Sequence, residues 1–195
     1  MTDDNYRIQE LLQREVYVGE NLVGTIVGER YHPNEDRVLS LRLQVNPGVA
    51  EVYMRKPADL APLSKELIHS IQDDGTVKLS KSMRELQRRW RNTVRIEEQL
   101  YAPDELLDRA VLDDDGMELG VVIKLVKVKR TYRGITVKLR SAIRRRFGLD
   151  ETIDIPVTAL ARTRARLDEI VLSRTYEKLC KLPSYIQINE ATLED

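Results

Sequence analysis

Seven residues constrain this chain more than any others. Glu10-Leu11-Leu12-Gln13-Arg14-Glu15-Val16 returns as Glu105-Leu106-Leu107-Asp108-Arg109-Ala110-Val111. The copies lie 95 residues apart in a chain of 195, and five of the seven positions are identical. Two copies that account for the whole length predict a duplication rather than a solenoid. Neither copy holds residues that resemble an active site.

The correspondence continues in the same order. Val23-Gly24-Thr25-Ile26-Val27 is answered by Leu119-Gly120-Val121-Val122-Ile123, one residue further on. The extra residue falls in the turn Asp113-Asp114-Asp115-Gly116, and loops are where insertions are tolerated. Val77-Lys78-Leu79-Ser80-Lys81 is answered by Ile170-Val171-Leu172-Ser173-Arg174.

The first copy reads as strands at Val16–Val18 and Leu22–Gly28, after a helix over Asn5–Arg14. Leu39, Leu41, Leu43 and Val45 alternate with polar residues, the period of a half-buried antiparallel strand. Val49–Met54 reads as a further strand and Ser64–Leu67 as a short helix. A hairpin of Ile68–Ile71 and Val77–Leu79 turns at Asp73-Asp74-Gly75. Ser80 reads as the N-cap of a helix over Lys81–Arg91, since its hydroxyl can accept a free helical N–H. Met83, Leu86 and Trp90 fall on one face of that helix. Val94–Glu97 alternates again.

In the second copy a strand carries on through Val126–Lys129 to a turn at Tyr132-Arg133-Gly134. An alternating strand over Ile135–Arg140, a loop over Ser141–Gly148 and an Ile153–Ile155 strand follow. A helix over Thr175–Lys181, a closing strand at Ile186–Ile188 and an acidic tail over 189–195 end the chain. Many short strands with regular turn signals predict a mainly β fold with short helices. The expected architecture is two tandem small antiparallel β-barrels, over 9–99 and 104–190, joined at Tyr101-Ala102-Pro103-Asp104.

These features resemble the PRC-barrel family. The pattern is carried by Leu11-Leu12, Leu22-Val23-Gly24-Thr25-Ile26, Leu39–Val45 and Ala61-Pro62-Leu63-Ser64. In the second copy it is carried by Leu106-Leu107, Glu118-Leu119-Gly120-Val121-Val122, Ile135–Leu139 and Ile155-Pro156-Val157. The Ser141–Gly148 loop departs from it. The resemblance implies a non-enzymatic adaptor, similar to the stand-alone archaeal PRC-barrel proteins of FtsZ-based cell division. Such proteins link the SepF membrane anchor and, through it, the FtsZ ring to other division proteins, often by pairing barrels. The alternative that it implies is an RNA-binding or ribosome-maturation factor akin to RimM, although the different N-terminal barrel of that protein is missing here.

Charge and composition narrow the partners. Lys+Arg and Asp+Glu both number 32, and a zero net charge argues against a general nucleic-acid binder while leaving room for local basic patches. One cysteine, Cys180, and two histidines, His32 and His69, cannot build the usual zinc sites. No cofactor or metal is expected. Met1-Thr2-Asp3-Asp4-Asn5 lacks the signal-peptide pattern and no apolar run is long enough to span a bilayer, so the expected compartment is the cytoplasm, with recruitment to the division site by a partner.

Two basic clusters are the candidate partner-binding residues. Arg144, Arg145 and Arg146 read as a contact for an acidic partner, RNA or anionic lipid, or as a solvated face. Arg88 and Arg91 flank Trp90, a combination enriched at interface hot spots and equally able to pack a helix on its barrel. Asp113-Asp114-Asp115-Gly116 lacks the twelve-residue ligand spacing of a calcium loop and reads as a turn.

Overall fold

A computed structural model describes residues 8–163 and 169–192. The chain divides into two compact units. Unit one runs to Thr93 and takes up Glu98–Tyr101; unit two takes Val94–Glu97 and everything from Ala102.

Unit one begins with α1 (Ile8–Leu11), β1 (Glu15–Val18), β2 (Asn21–Tyr31) and β3 (Val38–Val45). It continues through α2 (Pro47–Tyr53), β4 (Leu60–Leu63), a 3-10 turn η1 (Lys65–Leu67), β5 (Ile68–Ile71), β6 (Val77–Leu79) and α3 (Met83–Arg91). The next strand, β7 (Val94–Ile96), lies against elements of unit two, although it falls inside the range 9–99. β8 (Gln99–Tyr101) returns to unit one and pairs in parallel with β4 at Leu60 and Gln99.

Unit two holds α4 (Pro103–Leu106), β9 (Ala110–Leu112), β10 (Glu118–Val128) and β11 (Thr131–Leu139). Then come α5 (Ser141–Phe147), β12 (Thr152–Pro156), a 3-10 turn η2 (Val157–Ala159), β13 (Leu160–Thr163), β14 (Glu169–Leu172), α6 (Tyr176–Leu179) and α7 (Pro183–Thr192). β7 packs on β13 and η2.

The ladders run in the same order. In unit one six strands run β5-β6-β1-β2-β3-β4, with β8 added beyond β4; in unit two, β13-β14-β9-β10-β11-β12. Within these six strands each has one parallel contact, β1 with β6 and β9 with β14, among antiparallel ones; β8 on β4 adds a second in unit one. Six strands about 4.8 Å apart would span about 24 Å if flat. β4 and β5, the two outer strands of the six, are joined from Leu63 to Ile68, a reach of at most about 18 Å. β12 and β13 are joined from Pro156 to Leu160, about 14 Å at most. Both sheets must therefore curl, burying one face in a core of Val, Ile and Leu.

The curl stops short of the barrels expected from the sequence: neither sheet closes. Pro62 on β4 and Pro156 on β12 lack the N–H that a further partner strand needs, which fits their positions at or near ladder edges.

Two glycines let the inner strands meet. A Cβ on Gly24 would lie 2.1 Å from the Gln44 carbonyl oxygen, and one on Gly120 would lie 2.0 Å from that of Lys138. The repeated heptads sit just before these strands. Leu11 and Leu106 are fully buried, at 1% and 0% exposure, while Leu12 and Leu107 are only half-buried. Gln13 and Asp108 are left-handed, with φ of 63° and 61°. Their N–H groups donate to the carbonyls of Ile26 and Val122.

Four sequence expectations are corrected. Val49–Met54 belongs to α2 for five of its six residues, not to a strand: Asn46 Oδ1 accepts the Gly48 N–H at 3.0 Å and Pro47 supplies a preset φ in the first turn. Ser141–Gly148 is the helix α5, ended by Gly148 in the left-handed cap at φ 65°. It follows β11 as α2 follows β3, so it is no departure from the first unit's order. Ile186–Ile188 lies within α7, where Asn189 bonds both the N–H and the carbonyl of Asp154 on β12. The turn after β10 is Lys129-Arg130, not Tyr132-Arg133-Gly134. The expected N-terminal helix begins in residues 5–7, outside those described, as does the end of the acidic tail in residues 193–195.

Candidate interaction surfaces

α3 presents two different faces. Ser82, rather than Ser80, caps it, accepting the Glu85 N–H at 3.4 Å. Ser80 instead donates to the Leu67 carbonyl at 3.3 Å. Met83, Leu86 and Trp90 point into the core of unit one. Trp90 is 4% exposed and its indole N–H finds no acceptor among the described residues. A surface hot spot at Trp90 is thereby corrected: the residue continues the apolar stripe and is spent on packing. Arg84, Arg88 and Arg91 follow at i, i+4 and i+7 on the exposed side. Among the described residues none of the three has a carboxylate within ion-pair distance.

α5 anchors by Ile143 and leaves Arg144, Arg145 and Arg146 exposed. Arg146 pairs with Glu177 at 3.1 Å and lies 4.9 Å from the Phe147 ring centre. Phe147 packs on Tyr176, whose hydroxyl meets that of Tyr185 at 3.0 Å. Burial pushes both tyrosines up from their ordinary pKa, Tyr185 more strongly. Arg144 and Arg145 have no such partner among the described residues. The candidate residues thus fall into two sets: Arg88, Trp90 and Arg91 in unit one, and Arg144–Arg146 in unit two.

A third basic surface carries no recognised motif. From Leu119 to Leu149 there are ten Lys and Arg residues and no Asp or Glu. A scan for one-sign runs would find it, because the 32 acidic residues all lie elsewhere. The corresponding hairpin of unit one, by contrast, contains Glu29, Glu35 and Asp36 among its arginines. The structure folds the acid-free run into β10, β11 and α5. Lys138 and Arg140, near its base, are neutralised by Glu151 at 3.1 Å and Glu118 at 3.0 Å. Lys124, Lys129, Arg130 and Arg133 are exposed with no ion pair among the described residues.

The aspartate run is structural. Asp113 is 1% exposed, and its carboxylate accepts the N–H groups of Asp115, Met117 and Tyr176 at 2.9–3.1 Å. Those bonds occupy both oxygens. His32 accepts the Asn34 N–H within its own turn at 3.2 Å, and His69 is exposed on β5. Cys180 is half-buried at the end of α6. No helix among the described residues is long and apolar enough to cross a membrane. No protein-family model matches the chain, and no curated protein matches its sequence.

Proposed function

We propose that this protein is a non-enzymatic adaptor built from two PRC-type units that arose by duplication, and that it works in archaeal FtsZ-based cell division. The duplication is supported by the shared strand order, by Gly24 and Gly120, and by the left-handed pair Gln13 and Asp108. The observation that carries the adaptor reading is the α3 face. Arg84, Arg88 and Arg91 have no compensating carboxylate among the described residues, on a helix whose other side is buried in the core. The helix fixes the spacing of three guanidinium groups, each of which can make bidentate contacts with a carboxylate. The partner is an acidic protein surface, and the resemblance offers the SepF anchor as the one to try first.

The test is binding of the full chain to purified SepF and to FtsZ. Micromolar binding to SepF that falls at least tenfold in the Arg84→Ala, Arg88→Ala, Arg91→Ala triple variant, with thermal unfolding unchanged, is expected. No complex with SepF at micromolar concentration defeats the division reading. Binding that survives the triple variant defeats the α3 face.

A further inference from the structure

We infer that the β10–β11 hairpin is a nucleic-acid-binding ribbon that enters the major groove of duplex DNA. The inference concerns a different unit and a different surface from the adaptor reading and stands without it. It begins with the ladder. β9 pairs with β10 only as far as Val121, and β12 pairs with β11 only back to Gly134. Beyond the Val126–Gly134 pair, from Lys127 round the tip to Arg133, the two strands have only each other as ladder partners. The three residues that lead to the tip, Lys127 to Lys129, extend about 10 Å, close to the depth of about 8.5 Å of the B-form major groove, whose width of about 12 Å admits a two-stranded ribbon.

The charge is distributed as such a ribbon requires. Lys124 and Lys127 lie on β10, Arg133 on β11, and Lys129 and Arg130 form the tip. Lys127 also stands 4.8 Å from the ring centre of its cross-strand neighbour Tyr132. Register shifts between Val122 and Lys124 and between Val126 and Lys127 add twist and re-aim the side chains that follow. α5 follows β11 at the end away from the tip, so its exposed Arg144 and Arg145, unpaired among the described residues, stay outside the ribbon.

The tip gives an independent sign. The two-residue loop Lys129-Arg130 has φ of 46° and 70°, the geometry in which Asn-Gly is the favoured pair. Two cations occupy positions where local backbone preference selects against them. Such conflicts gather at functional sites. The same tip argues against a lipid surface, since a hairpin that enters a bilayer leads with apolar residues. Exposed Ile123 and Val128 lie behind the charges instead. A protein partner is disfavoured by the one-sign run: its three ion-paired cations, Lys138, Arg140 and Arg146, lie away from the tip, and the five from Lys124 to Arg133 have no acid among them, which suits a uniform polyanion.

The test is fluorescence anisotropy of the full-length protein with a labelled 25-base-pair DNA duplex across a salt series. The same strand unpaired, an RNA duplex of that sequence, and anionic phosphatidylserine vesicles are run beside it. Duplex DNA is expected to bind best, with log K falling against log salt at a slope of about −4 to −5, the value for roughly five phosphates. The Lys129→Asn, Arg130→Gly variant keeps a favourable turn while removing both tip charges. It is expected to fold as well as the parent, bind at least tenfold more weakly and show a slope shallower by about one to two. Arg84→Ala, Arg88→Ala, Arg91→Ala is expected to leave DNA binding unchanged. Absent or salt-insensitive DNA binding overturns the inference, as does preference for the vesicles, the RNA duplex or the single strand. Undiminished binding by the folded tip variant overturns it equally.

Discussion

Asp113 accepts the backbone N–H of Tyr176 at 3.1 Å, across 63 residues of sequence. One carboxylate thereby ties the β9–β10 turn to the start of α6. Its other oxygen holds the turn itself through Asp115 and Met117. Asp113→Ala leaves the buried Tyr176 N–H without an acceptor. The expected cost is about 1.5–3 kcal/mol for that bond alone, read by urea unfolding of the full chain. Loss of less than half a kcal/mol would mean that the tie is incidental. Added calcium is expected to leave the unfolding midpoint of the parent unchanged.

Gly24 and Gly120 make the next expectation. A Cβ at either position would lie about 2 Å from a carbonyl oxygen of the neighbouring strand. The obstacle is backbone, which cannot swing aside as a long side chain does. Gly120→Ala is expected to destabilise by about 3 kcal/mol or more, at or beyond the upper end of overpacking. Gly24→Ala is expected to act with similar force. A variant as stable as the parent would show that the strands do not approach this closely.

The Lys129-Arg130 turn predicts a change in the opposite direction. Both residues hold positive φ, at a cost of roughly 1–2 kcal/mol each for an ordinary L-residue. Lys129→Asn with Arg130→Gly relieves much of that cost. The double variant is expected to gain about 1 kcal/mol in chemical unfolding. A less stable variant would mean that the lysine and arginine side chains hold the turn.

Tyr185 predicts an alkaline transition. Burial is the largest cause of its raised pKa, followed by the Tyr176 hydroxyl bond. Its folded pKa lies above the unfolded value near 10, so folding favours the protonated phenol. That contribution is complete below pH 10 and is lost as the pH rises above it, because only the unfolded chain then releases the proton. Ultraviolet titration is expected to ionise the exposed tyrosines first and Tyr185 only on unfolding. Tyr185→Phe is expected to reduce the fall in stability above pH 10. A parent in which all eight tyrosines ionise together would contradict this.

Sequence reading succeeded where side-chain period and burial agree. Leu39, Leu41, Leu43 and Val45 alternate, and β3 spans Val38–Val45. Met83, Leu86 and Trp90 share a helical face, and all three are buried. It failed where the pattern was too short to choose between periods. Ile186-Gln187-Ile188 fits a strand or one helical turn, and only Pro183 at the helix start and the Asn189 bonds to β12 decide for the helix. Asn46-Pro47 was a legible helix start hidden by the β-branched Val49 and Val52 behind it. Lys129-Arg130 was not legible as a turn, because neither residue favours positive φ. The basic hairpin escaped notice for the same reason, and because a zero net charge conceals segregation by segment.

The exchange at Val94–Glu97 has a genetic consequence. A cut anywhere between the units severs one of them from a strand that its own fold contains. A gene fragment ending at Thr93 omits Glu98–Tyr101 from unit one, and a fragment starting at Ala102 omits β7 from unit two. The halves are therefore not clean cassettes: a break before Val94 removes β8 from unit one, a break after Tyr101 removes β7 from unit two, and a break between Glu97 and Glu98 does both. Whatever each unit binds, no single break in the chain separates the two with both complete.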